Sequence, residues 1–396
     1  MSDPHSAKVS STPLGAITPE QFIKDYWQKK PLVIKQGFKN FISPISAEEL
    51  AGLACEEEVH SRIVIEKGGE VPWQLINGPM DDEVFAVLPE THWTLLVNDV
   101  EKHLPQLATI VDAFRFIPEW RMDDLMISFA PEGGSVGPHL DQYDVFILQA
   151  QGQRRWQINT RPVAEDNQIP DIALRIQKDF SAEQEWVLDP GDIIYIPPGV
   201  THYGVAMNDC LSYSIGFRAP THTEMLTSFI DFISQNLAPD KTYKDFSLKA
   251  QTNSNQITDD ALDNVRETFK EYLNPNHPAL AQWFGRFVSD TKVDLVFDNN
   301  EGVVDFEELK QSHPILYRNP ASRFAFYEQE TSSLLFIDGD EFVVSTIFAQ
   351  ALCQKREFNL QSYKFTKTGH ALSEKKILVE LYHNGQLIPE IIIFLD

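Results

Sequence analysis

The chain has 396 residues, 42% of them hydrophobic, enough for two or three domains with real cores. Its 58 acidic residues against 33 basic ones give a formal charge of -25, which argues against nucleic acid as the main ligand, since a phosphate backbone calls for a positive surface. The same charge fits a surface that steers a basic protein toward a site, and it fits plain solubility equally well.

In chain order, residues 1–14 are polar and Ser-rich and are expected to form a disordered lead. Thr18-Pro19-Glu20-Gln21 then supplies a capping residue, a proline at the first helical position and a glutamine three after the cap, so a helix is expected there. Ser46-Ala47-Glu48-Glu49 repeats the capping-box signal without the proline. From Asp123 to Phe217 the texture changes to short strands broken by Gly and Pro turns, the pattern of a β-barrel or jelly roll.

Within this stretch, Tyr143 to Gln149 reads as a strand and Gln151-Gly152-Gln153 as a turn. In the following Arg154-Arg155-Trp156-Gln157-Ile158, alternation puts Arg154, Trp156 and Ile158 on one face. Trp186-Val187-Leu188 and Ile193-Ile194-Tyr195-Ile196 read as strands around the turn Asp189-Pro190-Gly191-Asp192. Pro197-Pro198-Gly199 bends the chain and is expected to set His202 near the start of the next strand.

Beyond Pro220 the pattern is helical. Met225, Leu226, Phe229, Ile230 and Ile233 follow one helix face, and so do Leu262, Val265, Phe269 and Leu273. Residues 300–396 mix a helix with two expected hairpins, one turning at Asp338-Gly339 and one at Asn384-Gly385. Cys55, Cys210 and Cys353 are too widely spaced for a disulfide framework or a paired metal pattern. With no signal-peptide core and no stretch apolar enough to span a bilayer, the expected location is the cytoplasm and no membrane partner is expected.

The chemistry concentrates in Pro138-His139-Leu140-Asp141 and in His202. Two imidazoles and one carboxylate can occupy three adjacent corners of an octahedral metal and leave three open, as in non-haem Fe(II) oxygenases. Side chains two apart on a strand share a face, so His139 and Asp141 can grip one ion, with His202 arriving from another strand. Arg154 is on the apolar face of its strand, and a buried guanidinium needs an anion, which a dicarboxylate cosubstrate could supply through a bidentate pair. The remaining histidines read as packing or surface residues.

The stretches Asp123-Asp124-Leu125-Met126-Ile127-Ser128-Phe129, Gly137 to Phe146 and Pro190 to Gly199 resemble the JmjC-type cupin oxygenases. More narrowly, they are similar to the bacterial ribosomal oxygenases that hydroxylate an arginine of a large-subunit ribosomal protein. The resemblance is specific over residues 90–220. It implies a mixed α and β chain with a double-stranded β-helix catalytic domain over 15–220, a helical dimerisation region over 221–299 and a C-terminal winged-helix-like domain over 300–396. It further implies Fe(II) on His139, Asp141 and His202, 2-oxoglutarate as cosubstrate with its distal carboxylate on Arg154, and Ser128 and Ser214 in the same pocket. A basic ribosomal protein would be the substrate and a second copy of the chain the partner, and the acidic balance makes protein contact a better role for the last domain than DNA binding. Two other functions stay open on the residues alone: a cupin isomerase or hydrolase using zinc or manganese, which has no use for an inward Arg154, and an inactive metal-binding scaffold.

Overall fold

The computed structural model describes residues 12–66, 72–164, 166–235, 237–245, 248–291, 305–365 and 370–389. Most of the expected disordered lead lies outside these residues, but Leu14, counted in that lead, is buried in the first core. The chain divides into two compact units that meet at Ala219 and Pro220.

The first unit carries eleven strands among the described residues: β1 (Leu32–Ile34), β2 (Ser61–Glu66), β3 (Trp73–Asn77), β4 (Trp93–Val97), β5 (Met122–Ala130), β6 (Asp144–Gln151), β7 (Arg154–Asn159), β8 (Gln184–Leu188), β9 (Ile193–Ile196), β10 (Thr201–Ala206) and β11 (Cys210–Phe217). Eight of them form one antiparallel sheet in the order β1-β9-β6-β11-β5-β4-β2-β3, and β10-β7-β8 form a second. Val145, Ile147, Ile194 and Ile196 of the large sheet pack against Trp156, Ile158 and Leu188 of the small one, so the two face each other. The expected jelly roll is this sandwich.

Period-2 alternation gives each face of the large sheet a separate task. Ile63, Leu95, Ile127, Phe146, Tyr195 and Tyr213 point to one side, into a core completed by Phe22 and Leu50 of the amino-terminal helices. Those helices start where the capping signals place them. Gln21 N donates to Thr18 Oγ1 at the head of Pro19–Asp25, and Ser46 and Glu49 close a reciprocal capping box at the head of Ala47–Leu53. The Tyr195 hydroxyl, deep in this core, donates to Asp144 Oδ1 at 2.6 Å and accepts from Gln28 N at 2.8 Å, so its burial leaves no polar group unpaired. The opposite face of the sheet is turned toward the small sheet and bounds the cavity described below.

In the second unit the helices His222–Gln235, Asp259–Tyr272 and Leu280–Ser289 come first. The apolar stripes expected on the first two are real, but only part of them is buried. Phe229 and Ile233 pack on Trp283, whereas Leu226 and Ile230 are exposed, as are Leu262, Val265, Phe269 and Leu273. Periodicity reports that a helix has an apolar face and is silent on what covers it.

Next come β12 (Ile315–Arg318), β13 (Phe324–Glu328), β14 (Ser333–Ile337), β15 (Asp340–Val344), β16 (Glu357–Asn359) and β17 (Leu387–Ile388), in two sheets, β13-β14-β15 and β16-β12-β17, with helices Phe306–Ser312, Thr346–Gln354 and Ala371–His383. The Asp338-Gly339 hairpin forms as expected: Ile337 pairs with Asp340, and both turn residues have positive φ, 50° and 86°, as a type I′ turn requires. The Asn384-Gly385 hairpin does not form. Ile377, Leu378 and Val379 lie in the helix Ala371–His383, Asn384 caps it, and Leu387–Ile388 pairs with β12. Asn-Gly is also a helix-ending signal, because Asn suits the cap and Gly the residue after it. Among the described residues, no helix is long and apolar enough to cross a membrane.

Helix Leu280–Ser289 lies on β13 and β14, and Gly285 makes the approach possible: a Cβ there would sit 2.2 Å from the Phe336 ring. Gly285→Ala should therefore destabilise the second unit by about 1–3 kcal/mol through overpacking, read as a lower denaturant midpoint with the first unit's transition unmoved.

Candidate metal centre

Strand β10 begins just past the Pro197-Pro198-Gly199 bend, and Gly199 takes φ of 76° there. This sets His202 opposite His139. The two exchange both backbone hydrogen bonds, His139 N to His202 O at 3.1 Å and His202 N to His139 O at 2.8 Å, and Gly199 N donates to Asp141 O at 2.7 Å. The strand expected through His139 and Asp141 is in fact this single bridge, after which the chain bends at Gln142 and Tyr143. Even so, both side chains project to the same place as His202.

The His139 and His202 rings lie 4.3 Å apart. Asp141 Oδ2 is 3.8 Å from His139 Nε2 and 3.6 Å from His202 Nε2, and the three ligand atoms all lie within 4.8 Å of one another. The far nitrogens are fixed by the backbone: His139 Nδ1 donates to Gly137 O at 2.9 Å and His202 Nδ1 to Val200 O at 3.1 Å. A carbonyl can only accept, so the proton sits on Nδ1 and the Nε2 lone pair faces Asp141. Burial of His202, reinforced by His139 beside it and opposed by Asp141, pushes its pKa down to about 4. The ring is thus held neutral, as a metal ligand must be.

The three side chains share a cavity of about 410 Å³ with Arg154, Ser128 and Ser214. Alternation along β7 resolves as expected, with Arg154, Trp156 and Ile158 buried and Arg155 exposed. Arg154 is 4% exposed, and its neighbours are neutral: Nη1 donates to Ser128 Oγ and Nη2 to Gly204 O, both at 3.4 Å, while Nε has no partner. No carboxylate of the described residues is within ion-pair reach of it. Ser128 is thus in contact with the guanidinium. Ser214, opposite Met126 and Ile147 on the large sheet, lines the wall without bonding to Arg154.

Sequence reasoning assigned no role to four residues of this region. Thr94, Arg62 and Tyr143 line the cavity. Asp124, two before Met126 on the same face of β5, accepts from Asn98 Nδ2 at 3.0 Å, Asn98 Oδ1 accepts from Arg62 Nη1 at 3.3 Å, and burial raises the Asp124 pKa to about 6. Asp124 shares its face of β5 with the cavity-lining Met126 and Ser128, and that spacing was the signal available for it. Among the described residues no other histidine joins a three-ligand cluster.

The JmjC domain family matches residues 109–225, and the ROXA-like winged helix family matches residues 274–387. The ribosomal protein uL16 3-hydroxylase of Escherichia coli strain K12 is 43% identical over 277 residues, 69% of this chain and 72% of the relative. The chain belongs to the JmjC ribosomal oxygenases. A probable ribosomal oxygenase of Haemophilus influenzae is 39% identical over 262 residues, 65% of this chain and 63% of its own. The solved structure of the Escherichia coli ribosomal oxygenase YcfD in complex with cobalt and 2-oxoglutarate superposes with a TM-score of 0.82 at 34% identity, covering 94% of this chain and 98% of that one. The oxygenase fold, double-stranded β-helix followed by winged helix, is therefore shared over nearly the whole length.

Two outcomes follow for this ribosomal oxygenase. Asp141→Ala should weaken Co(II) binding by about 100-fold or more, since even outer partners of a ligand are worth 10–100-fold; the visible Co(II) spectrum reads it. For the metal-free protein, the unfolded chain protonates His202 near pH 6.5 and the folded one only near 4, so the contribution of this ring to stability is complete above 6.5 and is lost as pH falls toward 4. The unfolding free energy of wild type from urea titration should drop between pH 7 and 4.5 by up to about 3 kcal/mol more than that of His202→Gln.

Proposed function

We propose that this ribosomal oxygenase is an Fe(II)- and 2-oxoglutarate-dependent protein hydroxylase acting on an arginine of a large-subunit ribosomal protein. One observation carries the reading: the His139, Asp141 and His202 cluster shares a single cavity with a buried arginine that has no carboxylate partner among the described residues. The donor set suits iron, and the open side of the cluster faces the cavity. Arg154 suits the distal carboxylate of 2-oxoglutarate, with Ser128 steadying the guanidinium and Ser214 in the adjoining wall. The relatives named for ribosomal protein hydroxylation and the neighbour bound to cobalt and 2-oxoglutarate support the same assignment.

Iron and 2-oxoglutarate, when bound, would supply O2 activation, with one oxygen atom going into succinate as CO2 leaves 2-oxoglutarate and the other into a substrate C–H bond. The protein's own residues do the rest. His139 and His202 stay neutral and aimed through the Gly137 and Val200 carbonyls, Arg154 sets the direction in which the cosubstrate lies, and apolar walls such as Leu96, Met126 and Ile147 exclude water. Asp124, held by Asn98 and in no ion pair seen among the described residues, meets the incoming guanidinium. The surface charge of -25 draws a basic ribosomal protein toward this mouth.

We assign residues 15–220 to catalysis, 221–299 to dimerisation and 300–396 to the winged helix. The exposed stripe Leu262, Val265 and Phe269 supports a homodimer. An isomerase or hydrolase would leave the buried Arg154 without a purpose, and an inert scaffold would have no need of it.

The decisive experiment loads the protein with Fe(II) without air, adds O2, and follows succinate and peptide mass with a panel of ribosomal-protein peptides. An arginine peptide should gain one oxygen, and His139→Ala should abolish the gain; bound iron without turnover on any peptide would sink the reading. Asp124→Asn should raise KM for the arginine peptide by about tenfold or more, as loss of one partner of a desolvated ion pair does, while the Kd for 2-oxoglutarate stays within twofold.

A further inference from the structure

Three buried polar atoms belonging to residues of this cavity have no partner: Arg154 Nε, Trp156 Nε1 and Thr94 Oγ1. All three can donate a hydrogen bond. The indole of Trp156 lies between the other chemical features, 5.4 Å from the Arg154 guanidinium carbon and 6.0 Å from the His202 ring. Thr94 is fully buried, and its hydroxyl, left unpaired, destabilises the site unless an acceptor arrives.

Sheet register places Thr94 near Arg154. Leu95 pairs with Phe129 and Leu96 with Ser128, so Thr94, one residue further, falls beside Ala130. Ala130 packs with Ala206, and Ala206 pairs with Arg154 across β10 and β7. Thr94 shares the cavity face of β4 with Leu96, whose cross-strand partner Ser128 bonds the Arg154 guanidinium. The hydroxyl and the guanidinium thus approach the same end of the cavity from opposite sheets.

We propose that Thr94 is a positioning residue for the cosubstrate, donating its hydroxyl to the distal carboxylate that Arg154 holds. This rests on assigning the cavity to 2-oxoglutarate. With the guanidinium on one side and the hydroxyl on the other, both oxygens of the carboxylate are engaged, which fixes its rotation as well as its position.

The test is a binding titration without turnover: Co(II)-loaded protein, free of O2, titrated with 2-oxoglutarate and read by the visible Co(II) spectrum. Thr94→Val keeps the shape and removes the donor, so the Kd for 2-oxoglutarate should rise about tenfold, with Co(II) affinity unchanged and wild-type 2-oxoglutarate affinity restored by Thr94→Ser. An unchanged Kd in Thr94→Val, a parallel loss of Co(II) affinity, or no recovery in Thr94→Ser would each overturn the role of the hydroxyl. Arg154→Met separates the two levels of the argument. If it binds 2-oxoglutarate as wild type does, the assignment of the cavity falls; if it loses binding while Thr94→Val keeps it, only the role of Thr94 falls.

Discussion

The reciprocal backbone pairing of His139 with His202 is the constraint on which the site depends. It joins segments far apart in sequence by two hydrogen bonds and is extended by the bond from Gly199 N to Asp141 O. The geometry is held by backbone rather than by side-chain packing, so the ligands are set before any metal arrives. Glycines at both approaches make the bends, with φ of 79° at Gly137 and 76° at Gly199. The same segments supply the carbonyls that take the Nδ1 protons, so one piece of backbone decides both where the imidazoles are and which nitrogen is free.

The large sheet extends this precision to the rest of the cavity. Its alternation commits Ile63, Leu95, Ile127 and Tyr213 to the helix-covered core and leaves Thr94, Leu96, Met126, Ser128 and Ser214 for the cavity. A one-residue slip in any of these strands would exchange the sets. The core face, with Phe22, Phe146 and Tyr195 in mutual ring contact, therefore guards the register of the functional face.

What was legible in the sequence is what local rules determine. The ligand triad, the inward Arg154, the Thr18 cap, the Ser46–Glu49 capping box and the Asp338-Gly339 turn all follow from spacing or from a residue's own backbone preference, and each stands where expected. The Asn384-Gly385 hairpin failed because the same dipeptide ends helices as readily as it turns strands, and the helical spacing before it decides the matter. Asp124 and Thr94 were missed for another reason. A single polar residue on a strand gains meaning only when the opposite sheet is known, and Arg154 arrives from that sheet. The apolar stripes of the second unit were visible, but their exposure was not, since periodicity carries no information about partners.

Charge is arranged on two length scales, and they act on different ligands. The net charge of -25 opposes the approach of any small dianion, yet it is felt only through solvent, where screening sets in beyond about 8 Å at physiological salt. Arg154 acts inside the protein, at contact and with little screening, where one paired charge outweighs a distant field. Among the described residues no carboxylate pairs with it, and Thr94 Oγ1 and Trp156 Nε1 near it are likewise without partners. In the proposed function the interior thus suits a small anion rich in acceptors, while the surface suits a basic macromolecule. Because a buried unpaired guanidinium is a cost to the folded state, occupancy of the cavity by its anion also stabilises the fold, in proportion to how tightly that anion binds. Under the proposed function, cosubstrate recognition and the stability of the double-stranded β-helix are for that reason one energetic quantity, joined at Arg154.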